Sequence, residues 1–365
     1  MRPLRVALIA SSRHPVGEPF PGGLEAHVWQ LTRALKRDGH DVTLFAGPGS
    51  DPDLACGVID VRPAPTSSAA REDISMPPER FMNEHHAYLD LMLRLSGELA
   101  GRFDLVHNHS LHYLPVAMAP MLPTPLLTTL HTPPTPWLES AMAASGQRGR
   151  FAAVSQHTAN SWEHATGPLT VVHNGVDTEC WSPGSGGDRL IWFGRIVPEK
   201  GAHQAIAAAR IARMPLVLAG PISDHRYFSE MIEPHLDDTV RYLGHLPTSE
   251  LSSAVGSSVA ALVTPLWDEP YGLVVAEALA CGTPVVAFEK GGIPEILTPA
   301  CGRLVSAGDV EAMATAIVET IGLSRSDVRA HAVMHCSHRR MVDRYVELYR
   351  ELVSTAQFFP MGAVQ

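Results

Sequence analysis

Lysine is nearly absent from this 365-residue chain, which holds only Lys36, Lys200 and Lys290. Lysine and arginine together number 28 against 38 aspartates and glutamates, a formal net charge of −10. That balance excludes the basic surface on which nucleic-acid binding depends. Long apolar runs are also missing, so no segment reads as a transmembrane helix. The short run Val6 to Ala10 passes straight into Ser11-Ser12-Arg13-His14. It is too short for the core of a signal peptide and reads as a buried first strand, with a cytoplasmic location as the expectation. The five cysteines, Cys56, Cys180, Cys281, Cys301 and Cys336, show no C-x-x-C spacing. This excludes a disulfide framework or a cysteine zinc site and predicts reduced, buried thiols. What remains, 45% hydrophobic and 18% charged residues, is the composition of a compact globular protein. Its length calls for two domains.

Strands and helices alternate along the chain. Strands are expected at Arg5 to Ala10, Asp41 to Ala46, Gly57 to Val61, Leu105 to His107, Leu126 to Leu130, Phe151 to Val154 and Leu169 to Val172. The second half repeats the pattern with Leu190 to Phe193, Leu216 to Ala219, Val240 to Tyr242, Val259 to Val263 and Pro284 to Ala287. Long helices are expected at Leu24 to Arg37, Glu79 to Ala100, Asp309 to Ile321 and Ser337 to Val353. Such βαβ repetition predicts an α/β protein with parallel sheets. The run Pro183-Gly-Ser-Gly-Gly187 is the most linker-like in the chain. It divides residues 1–183 from residues 188–345. A nicotinamide-binding domain would carry G-x-G-x-x-G after the first strand, where this chain has Ala10-Ser11-Ser12, so a dehydrogenase is excluded.

Four stretches carry candidate chemistry. In Trp267 to Ile296, WDEPYGLVVAEALACGTPVVAFEKGGIPEI, Glu269 and Glu277 are separated by seven residues. Gly272 marks the change from loop to helix, and the amides of Tyr271, Gly272, Leu273 and Val274 fall at a helix N-terminus suited to an anion. One carboxylate outside that turn and one inside it can grip hydroxyl groups on either side of a bound phosphate. A sugar nucleotide has that layout. In GRIVPEKG, Gly194 and Gly201 permit close backbone approach, while Arg195 and Lys200 offer a bidentate guanidinium and a point charge for a leaving diphosphate. In FDLVHNHS, His107 and His109 alternate faces on an extended chain, which makes them a poor metal pair. Gly22-Gly23 forms a glycine turn before the first helix.

In their order, these motifs resemble the retaining GT-B glycosyltransferases, most closely glycosyltransferase family 4. The resemblance covers nearly the whole chain. It implies two Rossmann-like domains facing a cleft, an N-terminal acceptor-binding domain and a C-terminal donor-binding one. A final crossover helix, about 346–365, would return to the first domain. It also implies that Glu269 and the amides of Tyr271 to Leu273 hold the donor hexose and that Glu277 holds the ribose diol. Arg195 and Lys200, flanked by Gly194, would hold the diphosphate, and His109 would touch the hexose. Gly22 and Gly23 would approach the phosphate or acceptor, and the backbone after Leu243 would read the nucleobase. Ser155 and the strand end at His131 would line the cleft. Asn174-Gly-Val-Asp177 matches a family element whose Asn174 and Asp177 fit a structural or a ligand role equally well.

The implied reaction moves a hexosyl group from a nucleoside-diphosphate sugar to a hydroxyl acceptor with retention. A UDP-sugar is favoured and a GDP-sugar allowed. No metal and no cofactor beyond the donor are implied. The partners are a small-molecule donor and acceptor, with the oligomeric state open. Two alternatives remain: a non-catalytic sugar-nucleotide-binding or assembly protein, and a phosphorylase of the same architecture using pyridoxal phosphate on Lys200 or Lys290. Tyr271 stands where the family often has phenylalanine. The acceptor region HTPPTPWLES names no acceptor class.

Overall fold

The computed structural model describes residues 2–54, 57–62, 66–75, 77–146 and 149–358. Seven strands form the first sheet: β1 (Arg5–Ile9), β2 (Asp41–Ala46), β3 (Gly57–Val58), β4 (Leu105–Asn108), β5 (Leu126–Leu130), β6 (Arg150–Ala153) and β7 (Thr170–Val171). Six form the second: β8 (Leu190–Phe193), β9 (Leu216–Ala219), β10 (Val240–Tyr242), β11 (Ala260–Val263), β12 (Val285–Phe288) and β13 (Gly302–Val305). Their orders are β3-β2-β1-β4-β5-β6-β7 and β10-β9-β8-β11-β12-β13. The strand pairs within each sheet are parallel.

Strict alternation divides each strand between two cores. Val6 and Leu8 face one apolar cluster of the first domain, and Ala7 and Ile9 face the other. In β8, Ile191 and Phe193 point one way, and Leu190 and Trp192 the other. Both faces are covered, so these strands read as continuous apolar runs, not as alternating ones. Full burial of each such Leu or Ile contributes about 1.5–3 kcal/mol. The last helix, His338–Phe358, meets the first domain from its start. Met341, Val342, Tyr345, Val346, Tyr349 and Leu352 form its apolar stripe and pack with Leu8, Leu31 and Leu35. Just before it, Ser337 pairs with Val176, so the outgoing and returning crossings between domains run side by side.

Several local expectations change. The helix expected to reach Ala100 stops at Ser96, because Gly97 leaves helical geometry at φ −117 and ψ −95 and the Leu99 amide turns back onto the Arg94 carbonyl. The strand β13 and the helices Pro136–Ala144, Thr248–Gly256 and Arg325–His335 were not anticipated. Cys281, Cys301 and Cys336 are buried free thiols, but Cys180 is exposed, contrary to the expectation of burial. Cys56 lies outside the described residues. No helix among the described residues is long and apolar enough to cross a membrane.

Candidate active site

In both sheets the strand order reverses beside the first strand of the half, between β1 and β4 and between β8 and β11. Open α/β sheets bind ligands outside the carboxyl ends of strands at such points. Here the two switch points face each other across a cavity of ≈ 340 Å³. From the first domain it is lined by Gly22, Gly23, His131 and Thr132, and from the second by Gly194, Arg195, Lys200, Glu269, Tyr271, Gly272, Leu273 and Glu277.

The second-domain wall is built from strand ends. After β8 the chain turns through Gly194 and Arg195 into the loop that presents Lys200. That loop is pinned to the end of β11. Thr264 Oγ1 donates to the carbonyl of Gly201 at 2.8 Å, and the Leu266 amide donates to the Glu199 carbonyl at 2.8 Å. Lys200 Nζ thereby reaches Glu269 Oε2 at 2.6 Å, and Trp267 Nε1 donates to the same oxygen at 3.0 Å. With side chains 22% and 15% exposed, the pair is largely withdrawn from solvent. Glu269 is thus fixed by two donors. Arg195 has no ion-pair partner among the described residues, and its guanidinium acts across the cleft on Glu25. Burial raises the Glu25 carboxyl above its ordinary value, an effect that His14 and Arg195 partly offset.

Gly272 caps the helix Leu273–Ala280 with φ +103 and ψ 57, a left-handed conformation that suits glycine. A Cβ there would also lie 3.0 Å from Ile293. The amides of Gly272, Leu273 and Val274 have no acceptor among the described residues, and they open toward the cavity as the unpaired N–H groups of a helix start. One helical turn further on, Glu277 faces the cavity without a hydrogen-bond partner among the described residues, and burial pushes its carboxyl up to about 8. The glycine turn of the first domain closes on this helix: a Cβ on Gly23 would stand 2.8 Å from Leu273 Cδ1.

The Gly291-Gly292-Ile293-Pro294-Glu295 stretch joins the walls. The Gly292 amide donates to the Glu269 carbonyl at 2.7 Å, which fixes the backbone that carries Glu269. Glu295 accepts from the amides of Gln156 and His157, each at 2.7 Å, at the start of a first-domain helix, and from His173 Nε2 at 3.0 Å. Burial alone would raise its carboxyl, but His173 and the two amides hold it below the ordinary value. Ser155 Oγ, capping that same helix, also donates to the Pro270 carbonyl at 2.5 Å. The motif therefore spans the domains.

Two expected ligand groups lie elsewhere. His109 is fully buried and does not line the cavity; it lies behind His131, its Nδ1 3.0 Å from His131 Nε2. Burial lowers both imidazoles well below their ordinary value. Sequence spacing overlooked His131 as the cleft-facing histidine in favour of its neighbour, although its strand end was noted. Leu243 itself does not line the cavity, and its amide donates to the Leu218 carbonyl at 2.8 Å, but the chain just beyond it does, through His245 and Leu246. Asn174 lines the cavity, whereas Asp177 turns inward to the amides of Glu179 and Cys180.

The comparisons with known proteins agree with this geometry. Residues 21–180 match Glycosyltransferase Family 4, and residues 183–330 match Glycosyl transferases group 1. The glycogen synthase of Mycobacterium tuberculosis is 28% identical, covering 86% of this chain and 85% of that protein. The phosphatidyl-myo-inositol mannosyltransferase of Mycolicibacterium smegmatis is also 28% identical, covering 91% of this chain and 88% of that protein. Among solved structures, Anabaena HepE in complex with UDP and glucose superposes with a TM-score of 0.75 at 18% identity, covering 96% of this chain and 100% of that one. Sucrose-phosphate synthase from Thermosynechococcus elongatus gives the same TM-score at 20% identity, with the same coverage. With two parallel-sheet Rossmann-like domains closing on one cleft and both halves matched in order, the chain is a glycosyltransferase of GT-B architecture and belongs to glycosyltransferase family 4.

Proposed function

We propose that the chain transfers a hexosyl group from a nucleoside-diphosphate sugar, UDP favoured, to a hydroxyl acceptor with retention of configuration. The observation that carries this reading is the convergence of Arg195, Lys200, Glu269, Glu277 and the unpaired amides of residues 272–274 on one cavity. A structure of HepE with UDP and glucose supports the choice of nucleotide.

Arg195 and Lys200 hold the diphosphate and stabilise the charge that builds on it as the sugar leaves, so the reaction needs no metal. Lys200 changes partner on donor binding. Diphosphate oxygens replace Glu269, and the freed carboxylate, still held by Trp267, accepts from hexose hydroxyls. Glu277 accepts from the ribose diol. The glycosidic C1–O bond to phosphate breaks while the acceptor oxygen bonds to C1 on the same face. The acceptor proton passes to the departing phosphate, so no enzyme nucleophile is required.

The test is a thermal-shift panel of UDP, GDP and ADP and their hexose conjugates, followed by assay of any stabilising donor for product anomer. A rise in melting temperature with UDP and its sugars is expected. The absence of a shift with all three nucleoside diphosphates would overturn the reading.

A further inference from the structure

Behind the first-domain wall, three imidazoles converge from three separate elements. His27 lies on the helix Gly23–Arg37, His109 just beyond β4, and His131 at the end of β5. Their ring centroids are 5.1, 5.0 and 5.2 Å apart, almost an equilateral triangle. One ring nitrogen from each lies within 4.8 Å of the others. His27 is only 1% exposed, and neither of its ring nitrogens has a hydrogen-bond partner among the described residues. Leaving buried polar atoms unpaired costs free energy that a ligand on the ring would offset.

The hydrogen bonds around the triangle turn His109 Nδ1 toward its centre as an acceptor. His107 Nε2 lies 2.8 Å from Thr129 Oγ1, and His107 Nδ1 lies 2.6 Å from the Tyr349 hydroxyl and 3.2 Å from His109 Nε2. With His107 donating from Nε2 to Thr129, its Nδ1 accepts from both Tyr349 and His109 Nε2–H. His109 Nδ1 is then an acceptor, 3.0 Å from His131 Nε2, and metal binding requires only that His131 carry its proton on Nδ1 instead. A metal-ligating histidine characteristically donates its other N–H to a fixed acceptor in this way.

We propose that His27, His109 and His131 form a three-histidine site for Zn²⁺ within the first domain. Three neutral nitrogen donors, without thiolate or a cluster of carboxylates, suit zinc and disfavour the oxygen-seeking Mg²⁺ and Ca²⁺. A Zn–N distance of about 2.0–2.1 Å places tetrahedral ligands roughly 3.3 Å apart. The one nitrogen pair already at 3.0 Å fits that spacing, and small ring rotations bring in His27. The ion ties one helix to two strand ends and fixes His131 at the cleft wall. It plays no part in neutralising the diphosphate, which Arg195 and Lys200 face from the other domain. The inference goes beyond the transferase reading and does not depend on it.

The experiment is titration of the chelator-treated full-length protein with Zn²⁺ and with Co²⁺ as a spectroscopic probe. It is run on wild type, His27→Phe and His331→Ala. His331 and His335, with ring centroids 4.7 Å apart on one helix, are the obvious surface pair that binds such ions adventitiously. Wild type and His331→Ala are expected to bind one equivalent of Co²⁺ with the d–d absorption of a low-coordinate nitrogen site. Each is expected to gain about 4 °C in melting temperature at a hundredfold excess of Zn²⁺ over its Kd. His27→Phe replaces the unpaired imidazole by an apolar ring, stays folded and loses both signals. The proposal is overturned if wild type shows neither signal, if His27→Phe keeps them, or if His331→Ala removes them.

Discussion

The two walls of the cleft are built on opposite principles. The second-domain wall carries formal charge on loops at strand ends: Arg195, the Lys200–Glu269 pair, and Glu277 behind a helix start with free amides. The first-domain wall has Gly22, Gly23, Thr132 and His131, backed by histidines that burial keeps neutral. One wall is ready for an anion before any ligand arrives; the other offers shape and neutral hydrogen bonding. On the proposed function, donor recognition is written in charge and acceptor recognition in the contour of the first domain.

The sharpest way to break that contrast is to remove the charge. Lys200→Ala takes away the ammonium proposed to face the leaving diphosphate and also frees Glu269. It is expected to lower kcat/KM by about 10²–10³-fold, as loss of a preorganised charge-stabilising group does. Lys200→Arg is expected to restore only part of this, since a planar fork does not fill the place of a compact ammonium. Steady-state assay with the donor identified by thermal shift measures both. A drop below tenfold for Lys200→Ala would place the phosphates elsewhere.

The next effect separates the two glutamates of the charged wall. Glu277→Gln is expected to weaken free UDP by about 10- to 100-fold, the loss of hydrogen bonds to a charged acceptor. Glu269→Gln is expected to leave free UDP within threefold and to impair the sugar donor. Equal effects of the two changes on free UDP would sink the division of roles. The pH dependence gives an independent reading. The Glu277 carboxyl, pushed up to about 8 by burial, is protonated in the empty site near neutrality. A ribose diol donates hydrogen bonds and favours the ionised form, so UDP binding releases a proton. Affinity is expected to rise with pH up to about 8, by at most tenfold per unit, and Glu277→Gln is expected to remove that component of the slope. The sign for the unliganded fold is opposite. A raised folded-state value leaves stability complete below about 4.5, with a progressive loss as pH rises through about 8.

The contrast also explains what the sequence disclosed. The charged wall is assembled from contiguous motifs, because strand, turn and helix start follow one another within a few residues. Arg195 with Lys200, and Glu269 with Glu277, could therefore be picked out in contiguous sequence, with the resemblance to the family joining them into one site. The ion pair between Lys200 and Glu269 could not, since it joins loops 69 residues apart. The histidine wall escaped for the same reason. His27, His109 and His131 meet only once the first helix is laid across β4 and β5, and nothing local marks His131 as the one that faces the cleft. The parallel sheets were legible from repeated apolar runs. The role of Glu295 was not, because its partners Gln156, His157 and His173 belong to the other domain.

A smaller effect tests whether the two walls are held in register. Glu295→Gln keeps the shape but weakens the contact with the two amides and His173. It is expected to lower the melting temperature at pH 7 by about 1.5 °C, the scale of roughly 1 kcal/mol in a chain of this size. Because the carboxyl is held below its ordinary value, its stabilisation is full above about 4.5 and disappears as pH falls through the lower folded-state value. The wild-type and Glu295→Gln melting curves are expected to converge in acid, and a constant gap between them would deny the ionic part of the contact.

The smallest expected effect concerns Tyr271, the residue within the donor motif where the chain departs from its family. The residue lines the cavity but is only 4% exposed, and burial raises its phenol well above the ordinary range. The hydroxyl interacts with the Cys336 thiol, a weak sulfur partner. If this wall recognises the donor through backbone N–H groups and formal charges, the phenol oxygen contributes nothing to binding. Tyr271→Phe is expected to change donor KM and kcat by less than twofold and stability by about 0.5 kcal/mol. Kinetics of this variant beside Glu269→Gln measure the difference directly. A tenfold rise in KM for Tyr271→Phe would mean that a side-chain hydroxyl reads the donor, and the wall would then be more specific than its charges alone make it.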